Sequence, residues 1–269
     1  TAYGVCLRTA EHTPSTIEKY LRDTRAFAVW LEGRPVTREL AAEWRDRLLS
    51  SGHKPSTVNS MLAAVNGLFR FLGWGIRVKF LKVQRRLFRD QSRELTRGEY
   101  DLLVNTARAA GKERLALLME AVCATGVRVS EVKYLTVEAA QCGRAEIALK
   151  GKIRMILLPN KLCRKLLKYA RKQKIASGEI FLTRSGRGIS RKQVWAEMKA
   201  VCRKAGVADS KVFPHNLRHL FARAFYQASR DVVKLADVLG HSSIETTRIY
   251  LLSTGAEHAR QLARLGLIS

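Results

Sequence analysis

Apolar residues recur at helical spacing through most of this 269-residue chain, and this periodicity restricts the chain to a mainly α-helical fold. In the first part of the chain, three such segments begin at N-cap or proline signals, at Thr13, near Thr37 and at Lys54. A glycine follows the end of each segment. We therefore expect residues 1–80 to form a small helical domain.

The helical period is interrupted once, by two short apolar runs. Residues 145–150 and 153–159 flank a Gly-Lys pair, which predicts a β-hairpin with its turn at residues 150–152. Helical spacing resumes after the hairpin and continues towards the end of the chain. We therefore predict a mainly α fold with a small antiparallel β-sheet, in which residues 95–269 form a second, α+β domain.

The two predicted domains are separated by a basic segment without a sustained apolar period, and we assign residues 81–94 as the interdomain linker. Eight basic residues lie between Arg77 and Arg97, against two acidic ones. A like-charged polar segment resists collapse, so it suits either a solvated connection or one that follows a phosphate backbone. The candidates for phosphate contacts here are Arg77, Lys79, Lys82, Arg85, Arg86 and Arg89.

The formal charge of the chain is strongly positive, because 49 Lys and Arg residues exceed 23 Asp and Glu residues by 26. The hydrophobic content of 46% is enough to build a core, so this is the charge of a folded protein. Such a charge attracts polyanions, and nucleic acid is favoured over an anionic membrane surface; solubility alone is the alternative. Further candidates for DNA contacts lie on one basic helix and the loop after it: Lys161, Arg164, Lys165, Lys168, Arg171, Lys172, Arg187 and Arg191.

The chain lacks a run of about 18 apolar residues and a signal-peptide pattern, which predicts a cytoplasmic, nucleoid-associated protein without membrane contact. Its five cysteines are scattered and form no CxxC pair, so we expect reduced thiols and no metal site. Because the first residue is Thr rather than Met, we expect that an N-terminal segment was removed.

The first two of four polar segments lie before the predicted hairpin and at its tip. In the first, residues 124–131, Gly126 ends an apolar helix and Arg128 stands at the head of the next one, where its guanidinium can form two hydrogen bonds with a phosphate. Glu131, one turn later, can hold neighbouring side chains; an ordinary salt bridge is the alternative reading of this pair. In the second, Lys150 or Lys152 at the hairpin tip can donate a proton to a leaving oxygen, or is simply solvated.

The third segment begins a helix at Pro214. His215 and Arg218 are three residues apart and share a face, so both side chains can converge on one phosphate. His215 and His219 have the spacing of a zinc-binding helix, but Asn216 stands where a metalloprotease needs a glutamate, and we predict no zinc site. His219 lies between apolar neighbours and is predicted to be a hydrogen-bonded core residue.

The fourth segment contains a helix end, a linking histidine and a tyrosine. Gly240 ends one helix, His241 is the linking residue, and Ser242 with Glu245 is predicted to form a capping box for the next helix. Tyr250 is then expected two turns into that helix. Taken alone, a helical tyrosine of this kind is a packing residue.

Together these motifs resemble the tyrosine recombinase family, also called the lambda-integrase family, which includes Xer-like enzymes and phage or transposon integrases. The resemblance rests on the order Arg128-x-x-Glu131, a hairpin lysine, His215-x-x-Arg218 and Gly240-His241, followed by a tyrosine nine residues later. It covers most of the chain: residues 1–80 are similar to the SAM-like core-binding domain and residues 95–269 to the catalytic domain. The resemblance implies two domains that form a C-shaped clamp on DNA.

The resemblance also implies a mechanism without metal, cofactor or ATP. Tyr250 would be the nucleophile of a 3′-phosphotyrosyl intermediate, and Arg128 and Arg218 would clamp the scissile phosphate. His215 and His241 would complete the clamp, with Glu131 and His219 supporting it, and a hairpin lysine would protonate the leaving 5′-oxygen. The family turn commonly reads Lys-Gly-x-Lys-x-Arg and here it is one residue shorter, so both Lys150 and Lys152 stay candidates.

The partners implied by the resemblance are a double-stranded DNA recombination site and further copies of the chain, as a dimer on one site and a tetramer in synapsis. The amphipathic stretch 257–268 would dock on a neighbouring protomer, with packing on its own chain as the alternative. Two other functions stay open at this point. A type IB topoisomerase-like enzyme shares the chemistry, whereas a non-catalytic DNA-binding regulator is expected to lose Tyr250 or an arginine.

Overall fold

A computed structural model describes residues 1–83, 91–149, 152–250, 259–260 and 263–265. The chain divides into two compact units, Thr1–Arg86 and Leu87–Ser269. None of the helices in these described ranges is long and apolar enough to span a membrane. The helices of the first unit are α1 (Ala2–Thr9), α2 (Pro14–Leu31), α3 (Arg38–Ser50) and α4 (Pro55–Phe71).

The first unit follows its sequence signals, with one addition. Helices α2 and α4 each start at a proline that follows an extended residue, as the sequence predicts. Helix α1 was not predicted, because its few apolar residues give a weak period. Its buried Tyr3 and Leu7 pack against Ile17 of α2, and the Tyr3 hydroxyl donates to the carbonyl of Ala64.

An extended segment that follows α4 is bound to that helix by two asparagines. The Asn66 side-chain amide accepts from the backbone N–H of Val78 and donates to its carbonyl, both at 2.9 Å. Asn59, two turns earlier, binds Leu81 in the same way at 2.8 and 2.9 Å. We call these four residues the asparagine clasp. The basic segment is therefore attached to the first unit as far as Leu81, while its cations stay exposed at Arg77, Lys79 and Lys82.

The second unit is mainly helical with one two-stranded antiparallel sheet, which confirms the predicted fold class. Strands β1 (Arg144–Leu149) and β2 (Lys152–Leu157) pair along their whole length, and the hairpin turn residues 150 and 151 lie outside the described residues. Its α-helices are α5 (Arg97–Ala109), α6 (Glu113–Thr125), α7 (Val137–Cys142), α8 (Asn160–Lys172), α9 (Arg191–Ala205), α10 (Pro214–Ser229), α11 (Val232–Leu239) and α12 (Ile244–Arg248). Short 3-10 helices span Gln91–Arg93, Val129–Tyr134 and Asp209–Lys211.

Helix α6 forms the centre of the second unit. Most of its side chains are buried, and α5, α8 and α10 pack around it. A helix whose apolar residues extend beyond one face has to lie largely inside the core; the charged residues of α6 are Glu113, Arg114 and Glu120. A smaller apolar cluster joins α10 to α11 through Ala222, Leu235 and Leu239. The polar segments identified in the sequence lie where α6, α10 and α11 begin or end.

Candidate active site

The first polar segment is positioned by the end of α6. Gly126 ends the helix in the left-handed conformation (φ 67°), and a Cβ at this position would lie 2.5 Å from the Phe221 ring. The chain then reaches Arg128, the N-cap of the 3-10 helix Val129–Tyr134. Glu131 is buried and accepts hydrogen bonds from the Arg128 backbone N–H (2.7 Å) and from Arg128 Nη1 (2.8 Å). These bonds fix a guanidinium that remains 39% exposed.

Glu131 also binds an arginine to which the sequence analysis gave no role. Arg154 on β2 donates through Nη2 to Glu131 Oε2 at 2.5 Å. Burial raises the pKa of Glu131, but the hydrogen bonds from Arg128 and the charge of Arg154 outweigh it and hold that pKa below its ordinary value. Glu131 is therefore an ionised anchor for two arginines. The available signal for Arg154 was its place at the end of the Lys-Gly-x-Lys-x-Arg pattern.

Arg218 on α10 is almost fully buried and reaches two other elements. Its Nη1 donates to the Gly126 carbonyl, and its Nη2 donates to the Leu239 carbonyl at 2.8 Å and to His241 Nε2 at 2.9 Å. Because a guanidinium has only donors, His241 Nε2 is the acceptor and the ring proton lies on Nδ1. His241 Nδ1 then donates to the hydroxyl of the buried Thr247 at 2.8 Å. Thr247 was not identified from the sequence.

The histidines of the site are neutral at pH 7. Burial and the charges of Arg218 and Arg128 lower the pKa of His241 to about 4. Burial and the neighbouring His215 lower the pKa of His219 to about 3. His215 is exposed, yet packing desolvates its imidazole and, with the same two arginines, lowers its pKa as well.

Tyr250 is buried and its ring lies among all three imidazoles. The ring centroids are 4.6 Å from His219, 5.9 Å from His241 in a nearly parallel arrangement, and 6.4 Å from His215. Burial and the charge of Arg128 lower the pKa of Arg218, and the neighbouring Tyr250 opposes this shift. The structure therefore brings Tyr250 and Arg218 together with the three histidines.

Details of this region differ from the sequence predictions. Helix α12 is capped by Ser243 rather than Ser242, and it ends at Arg248. Tyr250 thus follows the helix instead of lying two turns inside it; its backbone N–H donates to the Thr247 carbonyl at 3.0 Å. His219 is half-buried, and among the described residues it makes ring contacts with His215 and Tyr250 rather than a hydrogen bond.

An open cavity of about 910 Å³ lies beside these groups. Arg128, His215 and Arg218 line it on one side, and Arg191 and Trp195 of α9 on another. Trp195 is 51% exposed, and the remaining lining is mainly apolar. The cavity therefore gives an outside molecule access to Arg128 and His215, and Arg218 forms part of its wall.

Several predicted site residues lie elsewhere or outside the described residues. Lys150, Arg85, Arg86 and Arg89 are outside, as are the side chain of Lys152 and most of 257–268. On α8, Lys165 and Lys172 form ion pairs with Glu120 and Glu113. The other four candidates on α8 are exposed, and so is the loop residue Arg187. The four are Lys161, Arg164, Lys168 and Arg171. Within the described ranges, no three His, Cys, Asp or Glu side chains are grouped to hold a metal ion.

Comparison with known proteins gives consistent family matches. Residues 93–257 match the phage integrase family, and residues 6–75 match the N-terminal SAM-like domain of phage integrases. The tyrosine recombinase XerC of Roseiflexus castenholzii is 31% identical over 264 residues, covering 88% of this chain and 82% of the relative. The tyrosine recombinase XerD of Brucella suis is 32% identical over 265 residues, covering 88% and 86%.

Solved structures show the same fold. A lambda integrase dimer bound to a core site has a TM-score of 0.73 at 17% identity and covers 93% of this chain and 92% of that one. The Tn1549 transposon integrase with circular intermediate DNA has a TM-score of 0.72 at 18% identity and covers 97% of each chain. The relatives are recombinases, which supports that prediction over the topoisomerase and regulator alternatives. The chain therefore belongs to the phage integrase family and is a tyrosine-type site-specific recombinase.

Proposed function

We propose that Tyr250 is the nucleophile that cleaves and rejoins DNA. The observation that carries this proposal is the Tyr250 ring among three imidazoles, one of which, His241, is hydrogen bonded to the buried Arg218. The phenol oxygen forms a bond with phosphorus, the bond between phosphorus and the 5′-oxygen breaks, and that oxygen takes up a proton. A free 5′-hydroxyl later attacks the 3′-phosphotyrosyl bond and releases the tyrosine, so strands are exchanged without ATP.

Arg128 and Arg218 are proposed to stabilise the charge that builds up on the non-bridging oxygens. Both line the cavity, and both are held by the protein before any substrate binds. Donors that are fixed in advance stabilise the transition state more than the ground state, because they need no reorganisation during the reaction.

The histidines and a hairpin lysine are proposed to handle protons. His215 is exposed on the cavity and its lowered pKa keeps it neutral, so it can accept the phenol proton. His241 supports the clamp through Arg218, and His219 supports Tyr250 through ring packing. Lys150 or Lys152 donates the proton to the leaving 5′-oxygen.

We infer that the partner is a duplex recombination site. The charge of +26 supports this, and so do the exposed cations of α8 and the clasped segment. Two of the similar structures are described as complexes with DNA, one of them as a dimer on a core site. We expect this chain to bind one site as a dimer, with residues 1–80 and 95–269 closing around the duplex, and to form a tetramer in synapsis. A protein of this kind associates with the nucleoid.

Covalent capture tests the proposed function. The full chain is mixed, in EDTA, with a pool of nicked suicide duplexes of random sequence, and adducts are isolated under denaturing conditions and sequenced. We expect a 3′-linked adduct that Tyr250→Phe abolishes. Tyr226→Phe is the matched control, because Tyr226 is half-buried in the same apolar cluster. An adduct at the wild-type level from Tyr250→Phe would contradict the assignment.

A further inference from the structure

The buried Arg154 connects three segments that carry candidate catalytic groups. It lies on β2, two residues after the start of the strand at Lys152, and its side chain is only 15% exposed. One end of its guanidinium donates to Glu131, which holds Arg128. The other end, Nη1, donates to the Val238 carbonyl at 3.3 Å, near the end of α11. A single side chain therefore joins the hairpin, the Arg128 segment and α11.

The turn before His241 is shaped around this side chain. Gly240 has a φ of 63°, and a Cβ at this position would lie 2.3 Å from Arg154 Cδ and 2.7 Å from Nη1. A flexible side chain normally moves away from such a contact. Arg154 cannot do so without giving up its bonds to Glu131 or Val238, because both ends of the guanidinium are bound. The Arg154 side chain can therefore lie against Gly240 and reach both Glu131 and Val238 only because residue 240 has no Cβ.

The contribution of Arg154 to folding stability does not by itself explain an arginine at this position. Its Nε–H is buried and has no partner among the described residues, and an unmet buried donor is destabilising. A charged group in the interior also carries a desolvation cost that an apolar side chain of similar volume avoids. An arginine kept in spite of both costs is better explained by the elements it joins than by the free energy of folding.

We propose that Arg154 is a positioning residue that sets the hairpin relative to the phosphate clamp. Its guanidinium binds protein groups at both ends, so it orients other groups instead of contacting DNA. Through β2 it fixes the strand next to the hairpin lysines, and through Glu131 and Gly240 it fixes Arg128 and the turn before His241. The proton donor and the clamp are thereby held in one arrangement. This inference rests on the proposed function, in which a hairpin lysine protonates the 5′-oxygen.

A change of leaving group tests this role. Adduct formation is measured on two nicked duplexes, one with the ordinary phosphodiester and one with a bridging 5′-sulfur at the scissile position. The sulfur departs as a thiolate and needs no proton, so this substrate does not depend on a placed general acid. For Arg154→Met and Arg154→Lys we expect a loss of about 100-fold on the phosphodiester, and a recovery of at least tenfold on the sulfur substrate. Equal losses on both substrates, or no loss on either, would overturn the proposal.

A second variant tests the contact between Arg154 and Gly240 by changing the glycine instead of the arginine. Gly240→Ala should displace Arg154 and give the same recovery on the sulfur substrate. Gly206→Ala is the matched control, because Gly206 also ends a helix with a positive φ (66°) but has no atom within 4 Å of an added Cβ. If Gly206→Ala showed the same substrate dependence as Gly240→Ala, backbone strain would explain the effect and the contact would not.

The lysine variants separate failure of this inference from failure of the proposed function. A general acid on the hairpin requires that Lys150→Ala or Lys152→Ala slow adduct formation on the phosphodiester and regain the rate on the sulfur substrate. If neither variant does so, the general acid is not on the hairpin and the proposed function is wrong at that step. If one lysine variant shows this recovery on the sulfur substrate while Arg154→Met does not, the proposed function holds and only the positioning role fails. Duplex binding and chemical unfolding of each variant show that the protein remains folded and able to bind.

Discussion

At the scale of single residues, the burial of Arg218 is made possible by two helix ends. Its guanidinium donates to the carbonyl of Gly126, at the end of α6, and to that of Leu239, the last residue of α11. The last carbonyls of a helix have no partner inside the helix and carry partial negative charge, so they suit a buried cation. Arg218 therefore pairs with carbonyls at two helix C-termini in the absence of any substrate.

The hydroxyl of Thr247 should matter for catalysis although it does not reach the cavity lining. Thr247→Val keeps the shape of the buried side chain but removes the partner of His241 Nδ1. We expect the rate of adduct formation to fall about tenfold, the equivalent of one hydrogen bond, because the Nδ1–H of His241 loses its acceptor and the ring is held less firmly against Arg218. Thr247→Ser should restore most of the rate. A Thr247→Val protein with the wild-type rate would show that the hydrogen bond from His241 to Thr247 does not support Arg218.

The buried histidines should make stability depend on pH. The unfolded chain binds protons near pH 6.5, whereas folded His219 and His241 bind them only near 3 and 4. The unfolded state therefore holds more protons between these values, and stability is lost as the pH falls from about 6.5 towards 4. By pH 5 we expect a loss on the order of 1 kcal/mol for each histidine. Chemical unfolding at pH 7.5 and pH 5 measures this loss, and His219→Gln should reduce it; an equal loss in the variant would refute the assignment.

The residues proposed to act on phosphate could be found from the sequence, but the partners that hold them could not. Arg128, His215, Arg218 and Tyr250 stand in recognisable spacings. Thr247 stands in no such spacing, and Arg154, although it ends the hairpin motif, acts through Glu131 and Val238, partners that only tertiary packing sets. The predicted capping serine was off by one, since Ser242 and Ser243 offer the same chemistry and only the backbone conformation selects between them.

At the scale of secondary-structure elements, the asparagine clasp should protect the segment after α4. Replacing Asn66 with Ala leaves the N–H and carbonyl of Val78 without partners, at a cost of about 1–3 kcal/mol of stability. We expect the amide of Val78 to exchange with solvent faster in the variant, measured by hydrogen exchange and NMR. Ser56→Ala is the matched control, since Ser56 lies exposed on the same helix. Unchanged exchange at Val78 would show that the clasp does not hold the segment.

The cations of α8 should contribute unequally to DNA binding. Lys165 and Lys172 are paired with Glu120 and Glu113, whereas the four exposed cations have no ion-pair partner in the described part of the chain. Replacing Lys161, Arg164, Lys168 and Arg171 with Gln should lower the slope of log Kd against log salt by roughly one for each residue that contacts a phosphate. The double variant Lys165→Gln, Lys172→Gln should change the slope less. Equal changes in the two variants would contradict this division of the helix.

The residues at which helices begin could be predicted from the sequence more accurately than the lengths of the helices. The proline starts of α2 and α4 and the capping box of α5 lie where the sequence places them. Helix α12 is shorter than predicted, because the sequence pattern continues past Arg248 while Tyr250 is drawn into the cluster of histidines. Helix α1 was missed for the opposite reason: its stability depends on packing against α2 and α4 more than on its own period.

At the scale of the whole molecule, the proposed phosphate clamp and the proposed nucleophile lie in one chain. The Tyr250 ring is stacked on His241, which accepts a hydrogen bond from Arg218 of the same chain. Mixing a Tyr250→Phe protein with an Arg128→Lys protein should therefore form no adduct beyond the sum of the two separate proteins. The measurement is covalent capture on the selected duplex, with a wild-type and Tyr250→Phe mixture as the positive control. Restored adduct formation in the mixture of variants would mean that the tyrosine acts on a site of another protomer.

The function class was accessible from the sequence because it depends on a few ordered motifs, and the charge of +26 pointed to the class of partner. The mainly helical fold with one hairpin was accessible because both periods are visible in the sequence. The arrangement of the site was not accessible, since it depends on three helix ends and one strand that meet only after the core around α6 has formed.

The packing of Tyr250 has a spectroscopic consequence. A ring that lies nearly parallel to His241 and edge-on to His219 experiences the ring currents of both imidazoles. A fluorine atom on this tyrosine would therefore resonate at one frequency when the ring is seated and at another when it leaves. The position of a single NMR line would follow the nucleophile, in solution and without any substrate.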